Sequence, residues 1–132
     1  MDNLKGKSMF IEMLKGKIHR ATVTEADLNY IGSLTLDEDL MDAAGLREYE
    51  KIGVLDITNG NRIDTYIISG ERGSGKVCIN GAAAHLISKD DLVIIVAYCQ
   101  LNDTEAQIHK PKIVHVNSEN HVTFLGNETV LV

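Results

Sequence analysis

The sequence predicts a mainly β domain of the barrel type with short helices. Short β-branched runs recur along it with turn residues between them. The longest apolar run, Leu92-Val93-Ile94-Ile95-Val96-Ala97, has the length of a buried strand and falls far short of a membrane span. Asn-Gly pairs at 59–60 and 80–81 mark tight turns.

The elements follow in chain order. Lys17 to Thr24 reads as a strand with alternating side chains, which places Lys17 and His19 on one face. Asp37 to Ala44 is the best helix: Asp37 can cap it, Leu40, Met41 and Ala44 form an apolar face, and Gly45 supplies a left-handed stop. Val54 to Thr58 and Arg62 to Ser69 flank Asn59-Gly60 as a two-residue hairpin, which places Arg62, Thr65 and Tyr66 on one strand. Gly70 to Gly75 is a glycine-rich turn, Lys76 to Ile79 a strand, and Asn80-Gly81 another turn. Lys112–Val116 is a weak strand after Pro111, and 117–132 reads as a polar tail. No repeat or dividing linker is visible, so residues 1–132 are expected to form a single domain. Residues 1–8 carry lysines with no apolar segment behind them, and read as an extension ahead of Met9, not a signal peptide.

Composition removes several function classes. Hydrophobic residues make up 44%, a globular proportion. A net charge of −6, from 19 acidic and 13 basic residues, argues against a nucleic-acid surface. No segment suggests a membrane partner. Cys78 and Cys99 form no CxxC pair and read as buried, reduced thiols of a cytoplasmic protein. The five histidines lack metal-ligand spacing, so no metal is expected. Gly70-Glu71-Arg72-Gly73-Ser74-Gly75-Lys76 fits seven positions of a P-loop. However, Val77 replaces the magnesium-binding hydroxyl, and a strand follows where a helix is required. That segment reads as a hairpin turn.

Five segments together resemble the pyruvoyl-dependent aspartate decarboxylase family. They are Leu14-Lys15-Gly16-Lys17-Ile18-His19-Arg20, Ala26-Asp27-Leu28-Asn29-Tyr30-Ile31-Gly32-Ser33, Thr58-Asn59-Gly60-Asn61-Arg62 with Thr65-Tyr66, Glu71-Arg72-Gly73-Ser74, and Asn80-Gly81-Ala82-Ala83-Ala84-His85. They stand in the family's order and spacing, from about Met9 to about Asn117. The resemblance implies a double-psi β-barrel and a homotetramer with active sites at subunit interfaces. It also implies conversion of L-aspartate to β-alanine and CO2 for pantothenate synthesis. By the same resemblance the chain cuts its own Gly32–Ser33 bond, giving pieces 1–32 and 33–132. Ser33 then becomes a covalent pyruvoyl group, with no pyridoxal phosphate and no metal. Tyr66 matches the proton donor, and Thr65 a residue serving cleavage and substrate binding. Gly81, Ala82 and Ala83 match the substrate-contacting turn, and Arg62, Lys17, His19, Tyr30 and Asn80 line the pocket. Leu34 and Leu55 stand where some relatives have cysteine and tryptophan, at positions that need no reactive group.

Each implied role has a chemical reason. Loss of CO2 leaves electrons that a ketone, joined to the substrate amine as a Schiff base, can accept. A phenol such as Tyr66 can return a proton. Aspartate carries two carboxylates, so Arg62 and Lys17 suit it as fixed cations. Backbone N–H groups of the Asn80-Gly81-Ala82 turn can hold an oxyanion, and Gly32 lacks the Cβ that would shield its carbonyl. Taken singly, Tyr66 is a packed strand aromatic, Arg62, Lys17 and His19 are solvated side chains, and Asn80-Gly81 is a turn. Two alternatives stay open: a non-catalytic barrel module, and a pyruvoyl enzyme acting on another amino acid such as glutamate.

Overall fold

The computed structural model describes residues 9–126. Its strands are β1 (Ile11–Thr22), β2 (Glu25–Asp27), β3 (Ser33–Asp37), β4 (Lys51–Asp56), β5 (Arg62–Gly70), β6 (Val77–Asn80), β7 (Leu92–Leu101), β8 (Lys112–Val116) and β9 (Val122–Gly126). Helix α1 (Glu38–Ala44) follows β3, a 3-10 turn (Gly81–His85) follows β6, and α2 (Asp103–Ile108) follows β7. The strands form one sheet in the order β2-β6-β3-β5-β4-β7-β1-β8-β9. Parallel pairs (β1/β8, β2/β6 and β3/β5) interleave with antiparallel ones. The mainly β class with short helices is borne out, and the sheet is mixed.

The sheet wraps one apolar core. Ile18, Leu34, Leu36, Val54, Ile67, Ile79, Val93 and Ile95 are each 0% exposed, and alternation along their strands puts the neighbouring residues on the other face of the sheet. The apolar run at 92–97 lies in β7, between β4 and β1. β1 begins at Ile11, earlier than expected, because Ile11–Leu14 pair with Tyr98–Leu101.

Helix α1 forms as expected. The Asp37 carboxylate accepts from the Asp39 N–H at 2.8 Å, Leu40, Met41 and Ala44 are buried, and Gly45 ends the helix at φ 73°. Two expectations need correction. β4 and β5 are antiparallel, but their pairing ends at Leu55↔Arg62, so the connection is longer than two residues. Asp56 widens it by accepting from the N–H groups of Thr58 (2.8 Å) and Asn59 (3.1 Å). The 70–75 turn is no hairpin, because β5 and β6 do not pair: each flanks β3, and the loop passes over the end of that strand. Asn80-Gly81 does mark a turn, as expected, and opens the 3-10 segment.

Four elements escaped the sequence reading: β2, β3, α2 and β9. Strand β9 lies within the stretch read as a polar tail and pairs antiparallel with β8. The extension 1–8 and the end of the tail, 127–132, lie outside the described residues. Both cysteines are free thiols, Cys78 buried as expected and Cys99 only half-buried.

Candidate active site

Ser33 opens β3 with its side chain buried, 2% exposed. Antiparallel register sets it opposite Asn80. The Asn80 amide Nδ2 donates to Ser33 Oγ at 3.0 Å and to Thr35 Oγ1 at 2.9 Å. Its Oδ1 accepts from the Cys78 thiol at 3.1 Å. Ser33 Oγ also reaches the Ile31 carbonyl, a long contact of 3.4 Å. Leu34 and Leu36 of β3, and Val77 and Ile79 of β6, point to the core. Alternation therefore gathers Ser33, Thr35, Cys78 and Asn80 on the opposite face.

The scissile position predicted at Gly32 is pressed by the next turn. Gly81 has φ 75°, and a Cβ built on it would lie 2.6 Å from Gly32 Cα and 2.8 Å from Gly32 N. Only glycine allows the 81–83 backbone to approach so closely. Asn80 gives this turn no side-chain cap, because its amide is engaged by Ser33 and Thr35. Ala82 is exposed, Ala83 half-buried, and Tyr30, 54% exposed, precedes Gly32 on the open side.

On the other flank of β3, β5 runs parallel with Leu34↔Ile67 in register. Tyr66 precedes Ile67 as Ser33 precedes Leu34, so Tyr66 shares the outward face beside Ser33 and is half-buried there. Thr65 takes the alternate face, opposite buried Ile52. Arg62, Thr65 and Tyr66 do stand on one strand, β5, as expected. Arg62 shares the face of Tyr66 but lies four residues away, roughly 13 Å along the strand.

The predicted cations occupy a separate region. Arg62 is exposed and lines a shallow groove of about 280 Å³ with Gly53, Leu55, Asp64, Val96 and Tyr98. Lys17 pairs with Val96, which pairs with Gly53, so Lys17 stands on the outward side of that same sheet. His19 shares the face of Lys17, as alternation predicted, and its ring meets His115 at 5.3 Å between centroids. Strands β5, β4 and β7 separate β3 from β1. That is four strand spacings, on the order of 19 Å along the sheet. One chain thus brings together Gly32, Ser33, Tyr66, Asn80 and Gly81, with Tyr30 at their edge, and holds Lys17, His19 and Arg62 apart from them. Buried Cys78 and half-buried Thr35 belong to the Asn80 cluster and were missed; alternation along 33–35 and 78–80 was the available signal.

The P-loop-like segment proves to be a closed anion cradle. The Asp37 carboxylate, 1% exposed, accepts from Gly73 N (2.9 Å) and Gly75 N (2.8 Å) as well as from Asp39 N. The anion that this loop holds is the protein's own. Among the described residues no group of three or more His, Cys, Asp or Glu is placed to hold a metal ion. No described helix is long and apolar enough to cross a membrane.

A family model described as aspartate decarboxylase matches residues 9–123. The aspartate 1-decarboxylase of Corynebacterium efficiens is 58% identical over 120 residues, covering 91% of this chain and 88% of that one. That of Caldicellulosiruptor saccharolyticus is 58% identical over 91% of this chain and 94% of its own. That of Neisseria meningitidis is 58% identical over 86% and 90%. A computationally designed protein, msDPBB_sym2, is similar in structure over 64% of this chain and 96% of its own, with a TM-score of 0.40 and 15% identity. A match spanning the buried Ser33–Asn80 cluster, the Gly81 turn and both flanking strands places this chain in the aspartate decarboxylase family.

Proposed function

We propose that the chain decarboxylates L-aspartate at C1 to β-alanine and CO2, for pantothenate synthesis in the cytoplasm, after cutting its own Gly32–Ser33 bond. The observation that carries this reading is the Ser33 hydroxyl, buried at a strand end, held by the Asn80 amide and adjacent to a glycine that Gly81 presses.

In the cut, Ser33 Oγ adds to the Gly32 carbonyl carbon and the amide C–N bond breaks. The hydroxyl proton passes to the Ser33 nitrogen, leaving an ester. Loss of the Ser33 α-proton with cleavage of its Cβ–Oγ bond then releases Gly32 as a carboxylate. One water hydrolyses the remaining enamine, one ammonia leaves, and a ketone stands at position 33. The surroundings fit such a group: the position is buried, and the Asn80 amide already donates to it. When present, the pyruvoyl ketone supplies the electron sink that loss of CO2 requires.

The chain's own residues do the rest. Tyr66, on the same face, is the phenol that returns a proton to the substrate carbon. The turn Gly81-Ala82-Ala83 and Thr65 contact the substrate, while Asn80 and Tyr30 wall the pocket. Arg62 and Lys17 hold carboxylates, with His19 beside them. Because these cations lie apart from Ser33 within one chain, a homotetramer whose outward sheet faces meet is the assembly that completes the site. In it, one copy's cations serve its neighbour's Ser33.

Intact mass and a denaturing gel test the reading directly. The protein is expected as two pieces, 1–32 and 33–132, the larger with a blocked N-terminus. Ser33→Ala is expected as one chain that releases no CO2 from aspartate. Active material that is wholly unbroken would refute the proposal.

A further inference from the structure

The Asn80 side chain can sit in its cavity in two orientations that exchange its oxygen and nitrogen. Two of its three neighbours, Ser33 Oγ and Thr35 Oγ1, are hydroxyls, which can donate or accept and so select neither orientation. The third is the Cys78 thiol, 3.1 Å from Oδ1 and 5% exposed. A thiol that keeps its proton is a donor, and a donor there requires the amide oxygen opposite it. Burial first, then the charge of Glu25, raises the Cys78 pKa and keeps the proton on sulfur. Glu25 stands opposite Cys78 in the β2–β6 register, so that charge is fixed by the sheet.

We propose that Cys78 is a positioning residue for self-cleavage: its thiol fixes the Asn80 amide in the orientation that donates to Ser33 Oγ. An N–H donor aimed at Oγ stabilises the negative charge that grows there as the hydroxyl loses its proton. The reversed amide would set a carbonyl oxygen against that charge. Cys78 touches neither the scissile carbonyl nor substrate, and acts only through Asn80. The inference rests on the reading of Gly32–Ser33 as a self-cleaved bond.

The test follows conversion of freshly purified single chain into two pieces by intact mass, for wild type, Cys78→Ala and Cys78→Ser. Losing the orienting hydrogen bond should slow Cys78→Ala by roughly tenfold. Cys78→Ser, which keeps a donor at the same place, should cleave within about threefold of wild type. Melting curves of the same substitutions in the uncleavable Ser33→Ala background check that the fold is retained. Cys78→Ala cutting at the wild-type rate would overturn the inference while leaving the cleavage reading intact. Equal slowing of Cys78→Ser and Cys78→Ala would overturn it too, since packing and not donation would then be at work. A wild-type chain that never cuts would overturn the cleavage reading and this inference with it.

Discussion

Two glycine-containing turns, 70–75 and 80–83, put their backbone N–H groups to different uses. In the first, the N–H groups of Gly73 and Gly75 close on the buried Asp37 carboxylate, so the loop is saturated from within. In the second, no side chain caps the backbone, and the one residue placed to do so, Asn80, turns to Ser33 instead. A third turn, 57–60, resembles the first, with Asp56 accepting from Thr58 and Asn59. Buried aspartates thus close the structural turns, and the turn without one is packed against Gly32, beside the bond proposed to be cut. What a glycine-rich segment can do depends on whether its N–H groups already have an anion.

Substitutions can break or sharpen that contrast. The largest effect is expected at Gly81→Ala, where φ of 75° and a Cβ 2.6 Å from Gly32 Cα make the change incompatible with the present turn. Self-cleavage measured by intact mass should slow by at least tenfold, estimated from roughly 1–2 kcal/mol of left-handed strain plus the clash. Wild-type speed would erase the distinction between the turns.

Asp37→Asn should instead act on stability. Its amide NH2 would face the Gly75 N–H, leaving buried donors unsatisfied at a cost of roughly 2–4 kcal/mol. Urea unfolding should report that loss, while the folded fraction still cleaves. A cleavage defect without a stability loss would show that the saturated loop also serves the chemistry.

Asp56 offers a test by pH. Burial first, then the neighbouring Asp91 carboxyl, pushes its pKa up to about 6, from 3.8. With the folded value raised, the stability contributed by neutral Asp56 is complete below 3.8 and is lost as pH rises through about 6. Asp56→Asn should remove that decline, gaining on the order of 2 kcal/mol over wild type between pH 4 and 7.5. Unfolding curves of the Ser33→Ala background at those two pH values would show it, and parallel pH profiles would refute it.

The smallest effect is expected at Arg72→Ala. Arg72 meets Asp39 at 2.7 Å and Asp42 at 2.8 Å from the outer side of the saturated loop, but its side chain is 52% exposed. Exposed ion pairs contribute little, so the melting temperature should stay within replicate scatter. A clear drop would mean that Arg72, and not Asp37 alone, holds that loop.

The sequence was readable where local signals agreed. Asp37, the spacing of Leu40, Met41 and Ala44, and Gly45 all specify the same helix, and it forms there. Asn59-Gly60 misled because a residue outside the pair, Asp56, captures two N–H groups and widens the turn. β3 was invisible because a five-residue strand between β5 and β6 is defined by partners more than thirty residues away. The capping box of α2, Asn102 with Glu105, was present in the sequence, but the helix buries no residue and so lacks an apolar stripe. At the site, segment order and spacing pointed to Ser33, Tyr66, Asn80 and Gly81. Neither could show Cys78 behind Asn80, nor that three strands separate Lys17 from Ser33. Both facts depend on sheet order, which local patterns do not encode.

That sheet order also decides what breaking the 32–33 bond does to the molecule. β1 lies between β7 and β8, and β2 rests on the far side of β6 from β3. The shorter piece would stay clamped in place, so the proposed cut would be a nick and not a release. An intact polypeptide reaches this shape alone, whereas two severed ones must first meet. The melting temperature after the cut should therefore depend on protein concentration more steeply than that of the uncut Ser33→Ala chain. A mature molecule, once unravelled, would have to reassemble by encounter a shape it first acquired as a single thread.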